Sequence, residues 1–244
     1  MTKKLLLISN STNAGEAYLG WPQSFIKAFL EKHSVTEVLF IPYAGVSLGA
    51  DLQSSYDNYE ARVAGVFSVL GVTLTSVHRC KEPLKAAMKA QCIAVGGGNT
   101  WHLVNELHRT GLMSVIRERA VSGMPYMGWS AGSNVACPTL MTTNDMPIIQ
   151  PPSFNCMGLI PFQINPHYLD KNPEGHGGET REDRIREFLV INPGMKVAGL
   201  REACLLEVEG DTMLLKGAHQ LRLFEAGKEP VEYPENSDLS QLLK

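Results

Sequence analysis

The chain lacks the features that mark membrane and nucleic-acid-binding proteins. None of its 244 residues belongs to an apolar run approaching the ~20 residues of a membrane-spanning helix. The apolar run at residues 5–8 is too short for a signal peptide, and no small-residue cleavage site follows it. Lys and Arg number 22 against 25 Asp and Glu, so the net charge of −3 offers no basic surface for nucleic acid. We therefore expect neither a membrane nor a nucleic acid as a partner.

Cysteine is also scarce. The five cysteines are odd in number and scattered, and no C-x-x-C pair occurs among them. That pattern argues against a disulfide framework, and a chain of this length can build a core without disulfides or a structural metal. We expect a soluble protein of the reduced cytoplasm.

What the chain does contain is an alternation of short apolar runs with helical patterns. Predicted strands cover residues 4–9, 36–41, 72–77, 92–95 and 125–128, and between them apolar residues recur at helical spacing. Strands that are apolar throughout and separated by helices indicate a parallel sheet with helices on both faces. The predicted fold class is therefore α/β.

The C-terminal part has a different character. Short strands with turn signals between them are predicted at residues 196–200, 204–208, 213–215 and 220–224. They are typical of β-hairpins appended to the parallel core. Because no repeat, low-complexity tract or linker interrupts the chain, we predict a single domain over residues 1–244.

A serine lies between two glycines directly after the last predicted parallel strand. Residues 128–132, GWSAG, fit the G-x-S-x-G nucleophile elbow, a sharp strand-to-helix corner that exposes a serine hydroxyl. The alternative is a tight turn that merely contains Ser130. If the elbow is present, Ser130 is the candidate nucleophile.

Three consecutive glycines, residues 96–98, follow the predicted strand at 92–95. Without a Cβ, their backbone N–H groups can approach a ligand closely. Together with the N–H of Ala131, such donors could stabilise the oxyanion that forms when a hydroxyl attacks a carbonyl. A phosphate-binding loop is the alternative, but neither G-x-x-x-x-G-K-[ST] nor G-x-G-x-x-G is present.

A serine nucleophile needs a base, and imidazole titrates near neutral pH. Among seven histidines, His167 is the best candidate because it follows the apolar run at 159–162, at a predicted strand end after the elbow. An acid must then orient the imidazole. Asp145 would give the chain order Ser-acid-His and Glu202 the order Ser-His-acid. Spacing alone does not choose between them.

Thr180 and Asp183 fit a capping box, which predicts the start of a helix. Arg181 then falls in the first helical turn, where the helix dipole disfavours a cation. Either Arg181 pairs with one of the acidic residues at 179, 182 or 183, or its planar guanidinium faces an anionic ligand such as a carboxylate.

Four motifs together resemble those of peptidase E, the α-aspartyl dipeptidases: GGGNT at 96–100, GWSAGSN at 128–134, INPHY at 164–168 and GETRE at 178–182. The resemblance runs through nearly the whole chain, except that the tail at 234–244 matches no motif of the family. It implies a flavodoxin-like sheet related to class I glutamine amidotransferases, a serine peptidase site, and no metal or cofactor. The implied reaction is hydrolysis of dipeptides with an N-terminal aspartate through an acyl-enzyme.

The resemblance also implies roles for single residues. Residues that match the motifs are the nucleophile Ser130, the base His167, the oxyanion donors Gly98 and Ala131, and the substrate ligands Arg181 and Asn99. For the acid the family pattern fits both candidates. We favour Glu202 as the group that contacts His167, with Asp145 acting less directly.

Other functions remain open at this point. A cyanophycinase would share the fold and the serine but cleave a β-aspartyl–arginine polymer; the GETRE motif and the short chain argue against it. A general esterase would place an apolar acyl pocket where Arg181 is expected. A non-catalytic small-molecule-binding protein of the same fold would bind ligand without turnover. The oligomeric state is not predicted.

Overall fold

The main sheet of the computed structural model is mostly parallel. The structure describes residues 2–172, 174–175 and 177–244. Seven strands lie in the order β3-β2-β4-β5-β1-β8-β9, and the first five run parallel. Their bounds are β1 Lys4–Ile8, β2 Glu37–Ile41, β3 Thr73–Ser76, β4 Ile93–Val95, β5 Tyr126–Trp129, β8 Cys204–Glu209 and β9 Thr212–Gly217.

Helices connect the strands and cover the main sheet on both faces, except that the last helix packs on the second sheet described below. They are α1 Gln23–Lys32, α2 Leu52–Val69, α3 Pro83–Lys89, α4 Thr100–Arg109, α5 Leu112–Val121, α6 Ala131–Asn134 and α7 Arg181–Ile191. Leu5 and Leu7 of β1 pack into one buried cluster, and Leu6 and Ile8 into another. Because strand side chains alternate in direction, this division places one apolar core on each face of the sheet. The predicted α/β class is confirmed.

A second, four-stranded sheet is present, where the sequence predicted only β-hairpins appended to the parallel core. It has the order β11-β10-β7-β6, with β6 and β7 parallel and the other pairs antiparallel. Its strands are β6 Gln163–Pro166, β7 Lys196–Leu200, β10 Leu221–Glu225 and β11 Val231–Tyr233. The pair β8–β9 is a predicted hairpin and extends the main sheet, whereas the predicted strands β7 and β10 pair in the second sheet, and β11 was not predicted.

The C-terminal tail lies along the outer edge of β9. The Leu215 N–H donates to the Ser237 carbonyl (3.0 Å) and the Leu239 N–H to the Met213 carbonyl (2.7 Å). Leu239 and Leu242 are buried. The tail therefore satisfies polar groups of an otherwise open sheet edge. Within the described residues, no helix combines the length and apolarity needed to cross a membrane.

Candidate active site

Ser130 occupies a sharp corner between β5 and α6. Its backbone has φ 54° and ψ −113°, a region that L-residues rarely adopt. The Ser130 N–H donates to the Ile8 carbonyl of β1 (3.0 Å), which anchors the corner on the neighbouring strand. Gly132 follows because a Cβ there would overlap the Val95 carbonyl oxygen. The geometry is that of a nucleophile elbow rather than an ordinary turn.

Three side chains form a continuous hydrogen-bonded row at this corner. Ser130 Oγ lies 3.0 Å from His167 Nε2, and His167 Nδ1 lies 2.7 Å from Glu202 Oε1. The His167 side chain is 39% exposed and the Glu202 side chain 48% exposed. Water therefore reaches these side chains. The distances between them match those of a nucleophile, a base and an orienting acid.

The second sheet explains why His167 and Glu202 meet. β6 and β7 are parallel neighbours, so their carboxyl ends lie at the same edge of that sheet. His167 directly follows β6, and Glu202 follows β7 by two residues. The His167 N–H donates to Ser9 Oγ (3.0 Å) at the end of β1, which joins this edge to the main sheet. The row thus spans the carboxyl ends of strands from two sheets.

Asp145 does not take part in this row. Its Oδ2 accepts hydrogen bonds from the Thr100 N–H (2.8 Å), Thr100 Oγ1 (2.6 Å) and Thr143 Oγ1 (2.9 Å). These donors hold the carboxylate at the N-terminus of α4, where the helix dipole favours a negative charge. Of the two acids that the sequence left open, Glu202 is the one in contact with His167.

The loop of residues 96–98 faces Ser130. Gly98 has φ 132°, and a Cβ there would overlap the Ala44 carbonyl oxygen, so only glycine fits. Within the described part of the chain, the Gly98 N–H has no hydrogen-bond partner. The Ala131 N–H lies at the first position of α6, where an amide has no intrahelical partner. Both candidate oxyanion donors are therefore available to a ligand.

An aromatic network that no local motif marks lies behind this loop. The Tyr59 hydroxyl donates to the Gly97 carbonyl (3.0 Å) and accepts from Tyr18 (3.1 Å). The Trp129 indole N–H donates to both hydroxyls, at 2.9 Å from Tyr18 and 3.0 Å from Tyr59. Burial raises the pKa of Tyr59 to about 12, so its hydroxyl stays a neutral donor. Trp129 itself is fully buried and stacks on Phe40.

A cavity of about 550 Å³ opens in front of Ser130 and His167. Asn99 and Asp145 line it, together with Arg62 of α2. The Asn99 side chain is already engaged: its Oδ1 accepts from the His102 N–H (3.0 Å) and its Nδ2 donates to the Met146 carbonyl (2.9 Å). Asn99 therefore shapes the cavity while its side chain caps α4.

Arg181 lies in a smaller, adjoining cavity of about 60 Å³. Residues 142–144 and 165 line this cavity, and their chain neighbours 145 and 167 line the cavity of Ser130, so the two cavities lie close together. Thr180 caps α7 as predicted. Burial lowers the pKa of the half-buried Arg181 guanidinium. Arg181 was predicted to bind the substrate; it lines this smaller cavity and is not among the residues that line the cavity of Ser130.

The acidic neighbours of Arg181 are held by other groups. Glu179 pairs with Arg184, Glu182 with Arg186 and Arg222, and Asp183 with the Thr180 backbone and hydroxyl. Among the described residues, no carboxylate lies within ion-pairing distance of Arg181. Pairing with a neighbouring acidic residue therefore does not explain why an arginine stands in the first turn of α7.

One group of side chains outside the cavity has metal-ligand chemistry. The ligand atoms of Asp57, Glu60 and His78 lie within 4.8 Å of one another. Arg79 already pairs with Asp57 (3.0 Å) and Glu60 (2.5 Å). The guanidinium supplies the positive charge that a metal ion would otherwise bring.

The chain is similar to known peptidases over nearly its whole length. The family model described as peptidase family S51 matches residues 5–216. Peptidase E of a Nostoc species is 46% identical over 244 residues, covering 100% of this chain and 98% of the relative. Peptidase E of Streptomyces coelicolor is 46% identical over 240 residues, with 98% and 94% covered. Peptidase E of Salmonella typhimurium is 44% identical over 228 residues, with 93% and 96% covered.

Solved structures show the same fold at lower identity. The crystal structure of a peptidase from an acI-B1 Actinobacterium has a TM-score of 0.73 at 18% identity, covering 98% of this chain and 97% of that one. A putative peptidase E protein from Listeria monocytogenes has a TM-score of 0.59 at 21% identity, with 89% and 100% covered. The resemblance that the four sequence motifs indicated is confirmed, and the protein is a peptidase that belongs to peptidase family S51.

Proposed function

We propose that the protein is a serine dipeptidase that hydrolyses dipeptides with an N-terminal aspartate through an acyl-enzyme. The carrying observation is the row of Ser130, His167 and Glu202 at the mouth of one cavity. It stands in a chain whose relatives are named peptidase E. We further propose that residues 1–244 act as one domain, because both sheets contribute to the row.

In the first half-reaction, Ser130 Oγ attacks the carbonyl carbon of the N-terminal residue, and His167 Nε2 takes the hydroxyl proton. Glu202 accepts the Nδ1–H of the imidazole and stabilises the imidazolium that forms. His167 then gives the proton to the leaving amine, and the C–N bond breaks. Water repeats the sequence on the ester, which restores Ser130 and releases the acid.

The Gly98 and Ala131 N–H groups donate hydrogen bonds to the carbonyl oxygen as negative charge develops on it. Neither N–H group has a hydrogen-bond partner among the described residues, so both are free to bind the oxygen when the charge appears. Removal of one such donor typically costs about 10²–10³ in kcat. The Tyr59 hydroxyl, bonded to the Gly97 carbonyl, holds the peptide that carries the Gly98 N–H.

Arg181 is the proposed ligand of the aspartyl side chain. It is a half-buried guanidinium with no carboxylate partner among the residues that the structure describes. A carboxylate that enters its cavity would lose water and gain a charged, bidentate partner in exchange. Asp145 and Asn99 line the cavity of Ser130. No metal or cofactor is part of the proposed mechanism.

The test is turnover of a panel of Xaa-Leu dipeptides by the wild type and by Arg181→Ala, with Ser130→Ala as the inactive control. We expect Asp-Leu to be cleaved far better than Asn-Leu or Ala-Leu by the wild type. Loss of a buried charge partner costs about 2–5 kcal/mol. Arg181→Ala should therefore lower kcat/KM for Asp-Leu by roughly 30- to 5,000-fold, and much less for Asn-Leu.

Three results would contradict the proposal. Cleavage of β-aspartyl–arginine polymer without cleavage of Asp-Leu would make the enzyme a cyanophycinase-like peptidase. Ligand binding without turnover of any peptide would make it a binding protein. Activity of Ser130→Ala within tenfold of the wild type would exclude Ser130 as the nucleophile.

A further inference from the structure

We propose that Arg62 forms a subsite for the free C-terminal carboxylate of the dipeptide, on the leaving-group side of Ser130. This inference rests on the proposed dipeptidase function and explains why the enzyme would prefer dipeptides with an unblocked C-terminus. Nothing in the local sequence around Arg62, SYDNYEARVAG, marks it as a binding residue.

The position of Arg62 is defined by helix α2. It lies one turn beyond Tyr59, and residues three apart share a helix face. Its guanidinium carbon is 5.5 Å from the centroid of the Tyr18 ring, within the range of a cation–π contact. Arg62 lines the same cavity as Ser130 and His167. The aromatic wall that holds the Gly97 peptide therefore also holds this cation at the cavity.

No described carboxylate neutralises the charge of Arg62. Six of the other nine arginines contact a carboxylate within 4.0 Å, whereas Arg62 has no such pair among the described residues. It is the single Lys or Arg among the described residues that line this cavity. An anionic ligand group that enters this cavity therefore has one cationic side chain in the wall to bind.

The cavity also contains an anion that Arg62 does not neutralise. The Asp145 carboxylate is held by neutral donors from Thr100 and Thr143, and no described cation forms an ion pair with it. Arg62 and Asp145 line one cavity without pairing, so they lie more than ion-pairing distance apart. The complement of such a cavity is a small ligand with an ammonium group at one end and a carboxylate at the other.

An Asp-Xaa dipeptide carries three charges, and the structure leaves three complementary groups. Two of the charges belong to the N-terminal residue of the substrate. Its side-chain carboxylate matches Arg181, and its α-ammonium matches Asp145. The remaining charge is the C-terminal carboxylate, and the remaining cation is Arg62. With the acyl carbon at Ser130 and the N-terminal residue on the side of Asp145 and Arg181, the proposal assigns the second residue to the part of the cavity lined by Tyr59 and Arg62 of α2.

The experiment compares kcat/KM for Asp-Leu and for Asp-Leu amide, which differ in the C-terminal charge alone. We expect the wild type to prefer the free acid by about 5- to 30-fold, since Arg62 is exposed and the pair is partly screened. Arg62→Ala should bring this ratio close to one, chiefly through KM, because the contact is made equally in ground and transition states. Arg62→Lys should keep part of the preference.

Arg79→Ala is the matched control, because Arg79 is an exposed cation paired to α2 outside the cavity. It should keep the wild-type ratio. An equal acid-to-amide ratio in the wild type and Arg62→Ala would overturn the subsite. A fall in the Asp-Leu to Asn-Leu ratio instead would assign Arg62 to the aspartyl side chain and also overturn it. If the proposed dipeptidase function is wrong, the result is different: the wild type turns over neither substrate.

Discussion

Ser130 and His167 both adopt left-handed backbone conformations, with φ of 54° and 52°. Such conformations cost of order 1–3 kcal/mol each in non-glycine residues and persist only where the surroundings hold them. Here the end of β1 holds both: the Ile8 carbonyl accepts from the Ser130 N–H, and Ser9 Oγ accepts from the His167 N–H. Two adjacent residues of one strand therefore set the distance between the proposed nucleophile and base.

The two acids near the site should respond differently to loss of charge. Glu202→Gln removes the negative charge that stabilises the imidazolium of His167 and lets an amide NH2 face Nδ1, so kcat should fall by several orders of magnitude. Asp145→Asn keeps the shape of a group that does not contact His167, and kcat should fall far less. Steady-state kinetics on both variants, with folding checked by circular dichroism, measures the ranking. The reverse ranking would transfer the orienting role to Asp145.

Tyr59→Phe isolates the hydroxyl that bonds the Gly97 carbonyl. Without it, the peptide that carries the Gly98 N–H is less firmly oriented, and we expect about a tenfold lower kcat with KM little changed, a fraction of the effect of losing a donor outright. Affinity for a boronic acid analogue of aspartate, which mimics the tetrahedral adduct, should fall in parallel, whereas affinity for aspartate should not.

Tyr56→Phe is the matched control for that experiment. Tyr56 is also buried on α2, and its hydroxyl lies 2.9 Å from His102 Nε2, away from the glycine loop. It should cost stability of the same order without the kcat effect. Equal losses of kcat in Tyr59→Phe and Tyr56→Phe would mean that the hydroxyl of Tyr59 matters through stability alone.

At the scale of elements, the turn after β7 is tied down by ion pairs. Arg201, the residue before Glu202, contacts Asp170 (2.5 Å) and Glu232 (2.9 Å), and its guanidinium lies over the Tyr168 ring. Hydrogen bonds from Arg201 hold the pKa of Asp170 and of Glu232 below their ordinary values of 3.8 and 4.5. The cluster joins the Glu202 turn to β11 and to the loop after β6.

Carboxylates with a depressed folded pKa add stability above their ordinary pKa values and lose it as the pH falls through the folded values. We therefore expect the urea concentration at which half of the wild type is unfolded to decrease once the pH drops below about 4.5, because Asp170 and Glu232 then become protonated. Arg201→Met should have a lower midpoint at pH 7 and a smaller fall on acidification. Lys85→Met, which removes an exposed pair with Glu82, is the control. Parallel pH curves for the wild type and Arg201→Met would contradict the linkage.

At the scale of the whole molecule, the C-terminal tail completes the core at the edge of β9. Leu239 is fully buried there, so Leu239→Ala should lower the free energy of unfolding by about 2–5 kcal/mol. The exposed Gln241→Ala should change it by less than about 0.5 kcal/mol. Peptidase activity at low temperature should survive in both variants, because β1 and β8 separate β9 from β5. A stable Leu239→Ala protein would show that the tail only lies on the surface.

Features that depend on short-range chemistry can be predicted from the sequence alone. A strand-to-helix corner needs small residues on both sides of Ser130, and a close approach to the Ala44 carbonyl needs glycine at 98, so both are visible as local patterns. The cap at Thr180 and the alternation of apolar strands with helices are local as well. These patterns were enough to predict an α/β peptidase fold and a serine at its centre.

Which distant groups meet depends on the tertiary structure. Short apolar strands can pair with the edge of either sheet, and local patterns carry no information on that choice. The pairing of β6 with β7 brings Glu202 to His167 across 35 residues of chain and leaves Asp145 at the N-terminus of α4. The same packing places Arg181 in the smaller cavity and Arg62 in the lining of the cavity of Ser130. Contacts between remote segments arise from how the two sheets share their core, which no local spacing encodes.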